Sequence, residues 1–153
     1  SILNKKLAKE KSETLLMSPF FIISLLAFII LGVTFKDYQN NSRSRWMDSG
    51  LYALTGIIGV FLILLWFATD HFATQNNYNL LWAVPLSLFF VIEITKQNPK
   101  YWVKKYIMFQ ILMLLLMCIH WITGVQSYPV VLLPLLTALG IRYIFIFNFL
   151  NKK

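Results

Sequence analysis

Apolar residues in this chain run on for about twenty positions at a time and then give way to short polar stretches. Five such runs cover residues 15–35, 50–69, 79–95, 103–123 and 129–150. At about 1.5 Å per residue, runs of this length suit a hydrocarbon core of about 30 Å. They are continuously apolar instead of alternating, so they predict helices and not barrel strands. A helix also satisfies its own backbone groups inside lipid, which an open strand cannot do. The expected fold is all-α, a polytopic bundle of five transmembrane helices. Residues 1–14 form a basic juxtamembrane segment, 15–150 the membrane domain and 151–153 a tail.

The connections are short, which predicts antiparallel neighbours in contact. Pro19, Pro85 and Pro134 fall near span starts or inside spans and are expected to start or kink them. Gly56 and Gly59, with Gly32, Gly124 and Gly140, offer places for close helix approach, although single glycines are common in membrane helices. Trp46, Trp66, Trp82, Trp102 and Trp121 lie near span ends, where an indole keeps its N–H wet and its ring in the interface.

Composition supports a membrane location. The chain is 58% hydrophobic and 13% charged, whereas soluble domains are about half apolar and a quarter charged. A net charge of +8 raises the question of nucleic acid. The basic residues sit in the connections, however, and not as a patch interleaved with aromatics in a soluble segment, so nucleic acid is excluded as a partner. Cys118 is the single cysteine, so no disulfide forms within the chain, and its apolar setting disfavours a thiolate. No G-x-S-x-G, phosphate-binding glycine loop, H-E-x-x-H or C-x-x-C is present, and no cofactor is expected.

Counting Lys and Arg orients the bundle. Lys5, Lys6, Lys9 and Lys11 lie on one side; Lys36, Arg43, Arg45, Lys96, Lys100, Lys104, Lys105, Lys152 and Lys153 lie on the other. Nine against four makes the second side cytoplasmic, with the N-terminus outside and the C-terminus inside. The first apolar run is too long for a signal-peptide core, and the chain starts at Ser1 without Met. It is therefore expected to be a processed or truncated piece of a longer protein.

The outward polar groups concentrate in residues 69–85. Asp70 and His71 close the second helix, His120 sits near the outer end of the fourth, and Gln126 lies in the loop that follows. Asp70, His71 and His120 could hold a metal or pass a proton, but adjacent Asp and His do not project from one helix face, so no metal is expected. The stronger expectation is a hydrogen-bonded outer cap of Asp70, His71, Thr74, Asn77, Asn79, Trp82, His120 and Gln126, available for docking or for a lipid headgroup. A general-base role for His71 needs a substrate within hydrogen-bond reach. Asn77 or Asn79 is expected to cap the third helix.

Two charges lie within spans. Glu93 is 14 residues from Asn79 and Arg142 is 13 residues from Pro129, depths of about 21 and 20 Å along helices running in the same direction. An unpaired arginine at mid-membrane costs roughly 2.5–3.5 kcal/mol on insertion scales. Either the two form a structural ion pair, or each snorkels to the cytoplasmic headgroups.

The run Leu65-Trp66-Phe67-Ala68-Thr69-Asp70-His71-x-x-Thr74-x-x-Asn77-x-Asn79-Leu80-Leu81-Trp82-x-x-Pro85 resembles the signature of one membrane domain. That domain is the five-helix transmembrane region at the C-terminus of Gram-negative bacterial proteins similar to Lnb, the lipoprotein intramolecular acyltransferase. Gln126 in the last outer loop, the prolyl start of the last span and Arg142 within it extend the resemblance over essentially the whole chain. The resemblance implies a large periplasmic domain upstream that carries the acyl-transfer chemistry, so no catalytic residue is transferred to these spans. It also implies the bacterial inner membrane as location, and membrane lipids with that domain, or a partner subunit, as contacts. The leading reading is a membrane anchor and lipid-facing platform. A non-enzymatic subunit of a larger envelope complex is the alternative, and a proton-coupled transporter using Glu93, Arg142, Asp70 and the histidines is a third.

Overall fold

The computed structural model describes residues 18–68 and 77–152. Among these, the chain forms α1 (Pro19–Gln39), α2 (Arg45–Ala68), α3 (Ser87–Ile94), α4 (Tyr101–Ile122) and α5 (Leu133–Asn151), with 3-10 turns at Tyr78–Leu81 and Val130–Leu132. Four segments are long and apolar enough to cross a membrane: α1, α2, α4, and α5 together with the turn before it.

Local chemistry sets the helix ends. Ser18 caps α1 by accepting from the Phe21 N–H at 3.2 Å, and Pro19 follows where its missing N–H costs nothing. Asn41 ends α1 with φ +46°. The Ser42 N–H then returns to Asp37 O and the Asn41 N–H to Tyr38 O, the paired bonds of a Schellman motif. Gly124 does the same for α4 with φ +73°, through Val125 N–H to His120 O and Gly124 N–H to Trp121 O. Asparagine tolerates the left-handed region better than most residues, so it serves where glycine is more usual. Pro134 lies in the first turn of α5.

The third crossing differs from the continuous helix expected over residues 79–95. Its α-helical part is the eight residues of α3, about 12 Å long and less than half a bilayer core. Pro85 has no N–H to continue a helix, so a 3-10 turn and an irregular stretch carry the chain the rest of the way. Non-helical backbone survives at membrane depth only when protein covers it. Here Trp82, Ala83 and Val84 are buried, and Gly59 of α2 provides the cover. A Cβ on Gly59 would overlap Ala83 O and lie 2.7 Å from Pro85 N; one on Gly56 would lie 2.7 Å from the Leu88 side chain. Those two glycines admit the broken segment, whereas a Cβ at Gly32 or Gly50 meets nothing within 4 Å.

The helices pack α1 on α5, α5 on α4, and α2 on α3. The core between them is partly polar. Tyr52, on α2, meets the Tyr106 and Tyr143 rings edge-on at centroid distances of 6.0 and 6.2 Å. The Ser87 and Tyr106 hydroxyls lie 2.8 Å apart, and Gln110 Nε2 donates to Ser87 Oγ at 3.2 Å and to Tyr143 Oη at 3.4 Å. Gln110 Oε1 and the Tyr52 hydroxyl are buried without a hydrogen-bond partner.

Gly59→Ala is expected to destabilise the bundle by about 1–3 kcal/mol, because the clash is with backbone that cannot swing aside. Gly32→Ala and Gly50→Ala are expected to be tolerated. Thermal melts in detergent check the contrast, and equal melting temperatures for Gly59→Ala and Gly50→Ala would refute it. Gln110→Leu removes two long hydrogen bonds together with a desolvated, unpaired carbonyl, so its cost is expected to stay below about 1 kcal/mol. A loss of several kcal/mol in the same assay would mean that Gln110 is indispensable to the core.

Candidate functional site

Arg142 is the largest fully buried side chain among the described residues, with no exposed surface. Its guanidinium uses the full fork. Nε donates to Asp48 Oδ1 at 2.8 Å and Nη2 reaches the same carboxylate at 2.7 Å. Nη1 donates to Asp37 Oδ2 at 2.8 Å and to Thr34 Oγ1 at 3.3 Å, and Nη2 also donates to Ser44 O at 3.3 Å. The planar face lies 5.1 Å from the Phe145 ring centroid. Only arginine offers this many fixed donors around one charge.

The two carboxylates have further partners. Asp37 accepts from the Ser44 N–H at 2.8 Å and the Ser44 hydroxyl at 2.7 Å. Asp48 Oδ2 accepts from Arg43 Nη1 at 3.3 Å. Two acids and two arginines therefore balance, which is the condition for burying charge at all. Burial lowers the Arg43 pKa below its ordinary value, and Asp48 opposes that shift.

This cluster extends across the bundle end. Arg43 Nη2 donates to Lys96 O at 2.6 Å and Arg45 Nη1 to Thr95 O at 3.1 Å, so both arginines satisfy carbonyls left over at the end of α3. Glu93 pairs with Lys96 Nζ and accepts from the Lys100 N–H at 3.1 Å, which holds the start of α4. Side chains and backbone thus tie α5, α1, α2, α3 and α4 together at one end.

The expected pairing of Glu93 with Arg142 does not form. Arg142 bonds Asp48 and Asp37, and Glu93 bonds the residues that follow it in sequence. The reason is packing: α3 lies on α2 and lightly on α4, while α5 packs on α1 and α4. Sequence reasoning missed Asp37 and Asp48 because it ended the first helix at Phe35 and began the second at Gly50. Both helices continue past those charges, since Arg142 neutralises them. Their presence beside long apolar runs, in a chain with only six acidic residues, was the available signal.

At the opposite end, Asn77 Oδ1 accepts from the Asn79 N–H at 3.1 Å and from Asn79 Nδ2 at 2.7 Å. Asn79 Oδ1 then accepts from Trp82 Nε1 at 3.0 Å. Gln126 Oε1 accepts from the Tyr78 N–H at 2.9 Å, and the Tyr78 ring stands edge-on to His120 at 5.0 Å. The structure therefore brings Asn77, Asn79 and Trp82 into one hydrogen-bonded chain, and Tyr78 links that chain to His120 and Gln126. His120 Nδ1 and the Tyr128 hydroxyl are buried without a hydrogen-bond partner. Burial, with Tyr78 nearby, raises the Tyr128 pKa above its ordinary value. Asp70, His71 and Thr74 lie outside the described residues. Among the described residues, no group of three His, Cys, Asp or Glu side chains could hold a metal ion.

Arg142→Met leaves Asp37 and Asp48 buried with too few donors, so it is expected to cost about 3–5 kcal/mol. Arg142→Lys is expected to recover little, because an ammonium cannot reproduce the fork. Glu93→Gln leaves the bonds of Arg142 to Asp37 and Asp48 in place and alters only the local contacts with Lys96 and Lys100, so it is expected to lower the melting temperature far less than Arg142→Met. Thermal melts of the three variants in one detergent provide the check. Comparable losses for Glu93→Gln and Arg142→Met would return Glu93 to the role of buried counter-ion.

The arginine cluster organises helices, and the amide cluster organises the other end; neither geometry by itself names a reaction. Comparison with known proteins supplies a family. No curated protein and no solved structure matches the chain. The profile of the Lnb transmembrane domain matches residues 9–153, nearly the full length. This multi-pass helical membrane chain belongs to the Lnb transmembrane-domain family.

Proposed function

We propose that this five-helix unit is the membrane anchor and lipid-facing platform of an Lnb-like envelope protein in the bacterial inner membrane. An upstream periplasmic domain performs the parent protein's chemistry, the transfer of an acyl chain to the N-terminus of lipid-modified lipoproteins. The observation that carries the reading is the family match over residues 9–153. The buried charges support it. Arg142, Asp37 and Asp48 bond one another at one end of the bundle, where they lock helices together. A proton-coupled transporter instead needs ionisable groups spaced along a route.

In this reading the end carrying Arg43, Arg45, Lys96, Lys100 and Lys152 is cytoplasmic, following the excess of basic residues there. The cap of Asn77, Asn79, Trp82, His120 and Gln126 then faces the periplasm, with Asp70, His71 and Thr74 in the connecting segment. It serves as the seat for the catalytic domain or for a lipid headgroup.

Orientation is tested by impermeant maleimide on intact cells in a Cys118→Ser background. A Gln75→Cys variant is expected to label from outside, and an Asn41→Cys variant only after the membrane is opened; the reverse pattern inverts every outward assignment. The anchor role is tested in the parent reading frame, which is expected to encode an exported domain before Ser1. Removing the five-helix unit should release that domain from the membrane fraction and lower lipoprotein N-acylation, read by mass spectrometry of lipopeptides. A frame without such a domain favours a separate subunit of an envelope complex.

A further inference from the structure

An open groove of about 1090 Å³ lies between α1 and α5, on the side of the bundle next to the arginine cluster. That volume is slightly above the ~300–1,000 Å³ typical of small-molecule sites. Leu31, Phe35 and Ile144 line its inner length, while Gln39, Asn148 and Lys152 stand toward the helix ends. The groove is therefore graded along the helix axes, apolar along its inner length and polar toward the helix ends.

Charge at its mouth has one sign. Asp37 and Asp48 are consumed by Arg142 and Arg43, and Glu93 is held by Lys96. No carboxylate among the described residues is left at this end to face Lys152. A basic pocket between transmembrane helices beside the headgroup layer is a recurrent setting for anionic lipid.

We propose that this groove binds one anionic phospholipid of the adjoining leaflet, its acyl chains along Leu31, Phe35 and Ile144 and its phosphate at Lys152 and Asn148. The site stands on the far end of the bundle from the amide cluster. It holds whichever domain lies upstream, so it can fail or succeed independently of the anchor reading.

The test uses the full chain purified in detergent and titrated with phosphatidylglycerol or phosphatidylcholine, with bound lipid counted by native mass spectrometry. Phosphatidylglycerol is expected to bind as a single retained molecule in preference to phosphatidylcholine. Lys152→Gln is expected to weaken it about fivefold, as for the loss of one basic contact at a membrane surface. Ile144→Trp fills the groove and is expected to abolish retention, with its lipid-free melting temperature confirming that it folds. Lys104→Gln, at the same end but on α4, is expected to leave binding unchanged. Equal binding of the two lipids, or equal effects of Lys152→Gln and Lys104→Gln, overturns the site. So does a dimer that Ile144→Trp dissociates, since the groove would then belong to a second copy of the chain.

Discussion

Everything at the basic end of this bundle depends on one constraint: a guanidinium with no access to water must find its counter-charges inside the protein. Arg142 finds them on α1 and α2, through Asp37 and Asp48. That requirement fixes the angular position of α5 against the first two helices, because five donors in a plane accept few arrangements. The reversal at Asn41 is part of the same device. By folding the chain back on Asp37 it delivers Ser44 to one carboxylate and Arg43 to the other. Buried ion pairs are seldom a source of net stability compared with apolar packing; their use here is to specify one arrangement among helices that are otherwise uniformly greasy.

The middle of the bundle solves a different problem. Lipid does not drive apolar helices together as water does, so close contact and polar bonds decide their association. Gly56 and Gly59 let α2 approach the broken third crossing, and the Tyr52, Tyr106 and Tyr143 rings fill the space beneath it. Ser87 and Gln110 connect α3 with α4 and α5 through buried hydrogen bonds. The break at Pro85 is possible because protein, not lipid, surrounds its free backbone groups.

The two ends consequently differ in character. One is closed by neutralised charge, and flanked by a groove with lysine at its mouth. The other is built from amides, an imidazole and aromatic rings, with Gln126 and Tyr78 holding separate segments together. The match to the Lnb transmembrane-domain family covers both ends, so the division lies within one family unit.

Helical class, membrane residence and the number of apolar runs were legible from residue order, because they depend on local hydropathy and on backbone hydrogen bonding within each segment. So was the concentration of amides around Asn77 and Asn79, since asparagine caps and turns through its near neighbours. The partner of Arg142 was not legible. Matching depths pointed to Glu93, and depth along a helix says nothing about which face meets which neighbour. The true partners lay in stretches that hydropathy alone read as loops. The third crossing was misjudged for the same reason: Pro85 marked a disturbance, but only the contact with Gly59 made a non-helical path tolerable. Sequence determined what each segment could be in lipid. Tertiary structure decided which charges could be buried and where a helix could end, because both depend on the groups that other segments bring alongside.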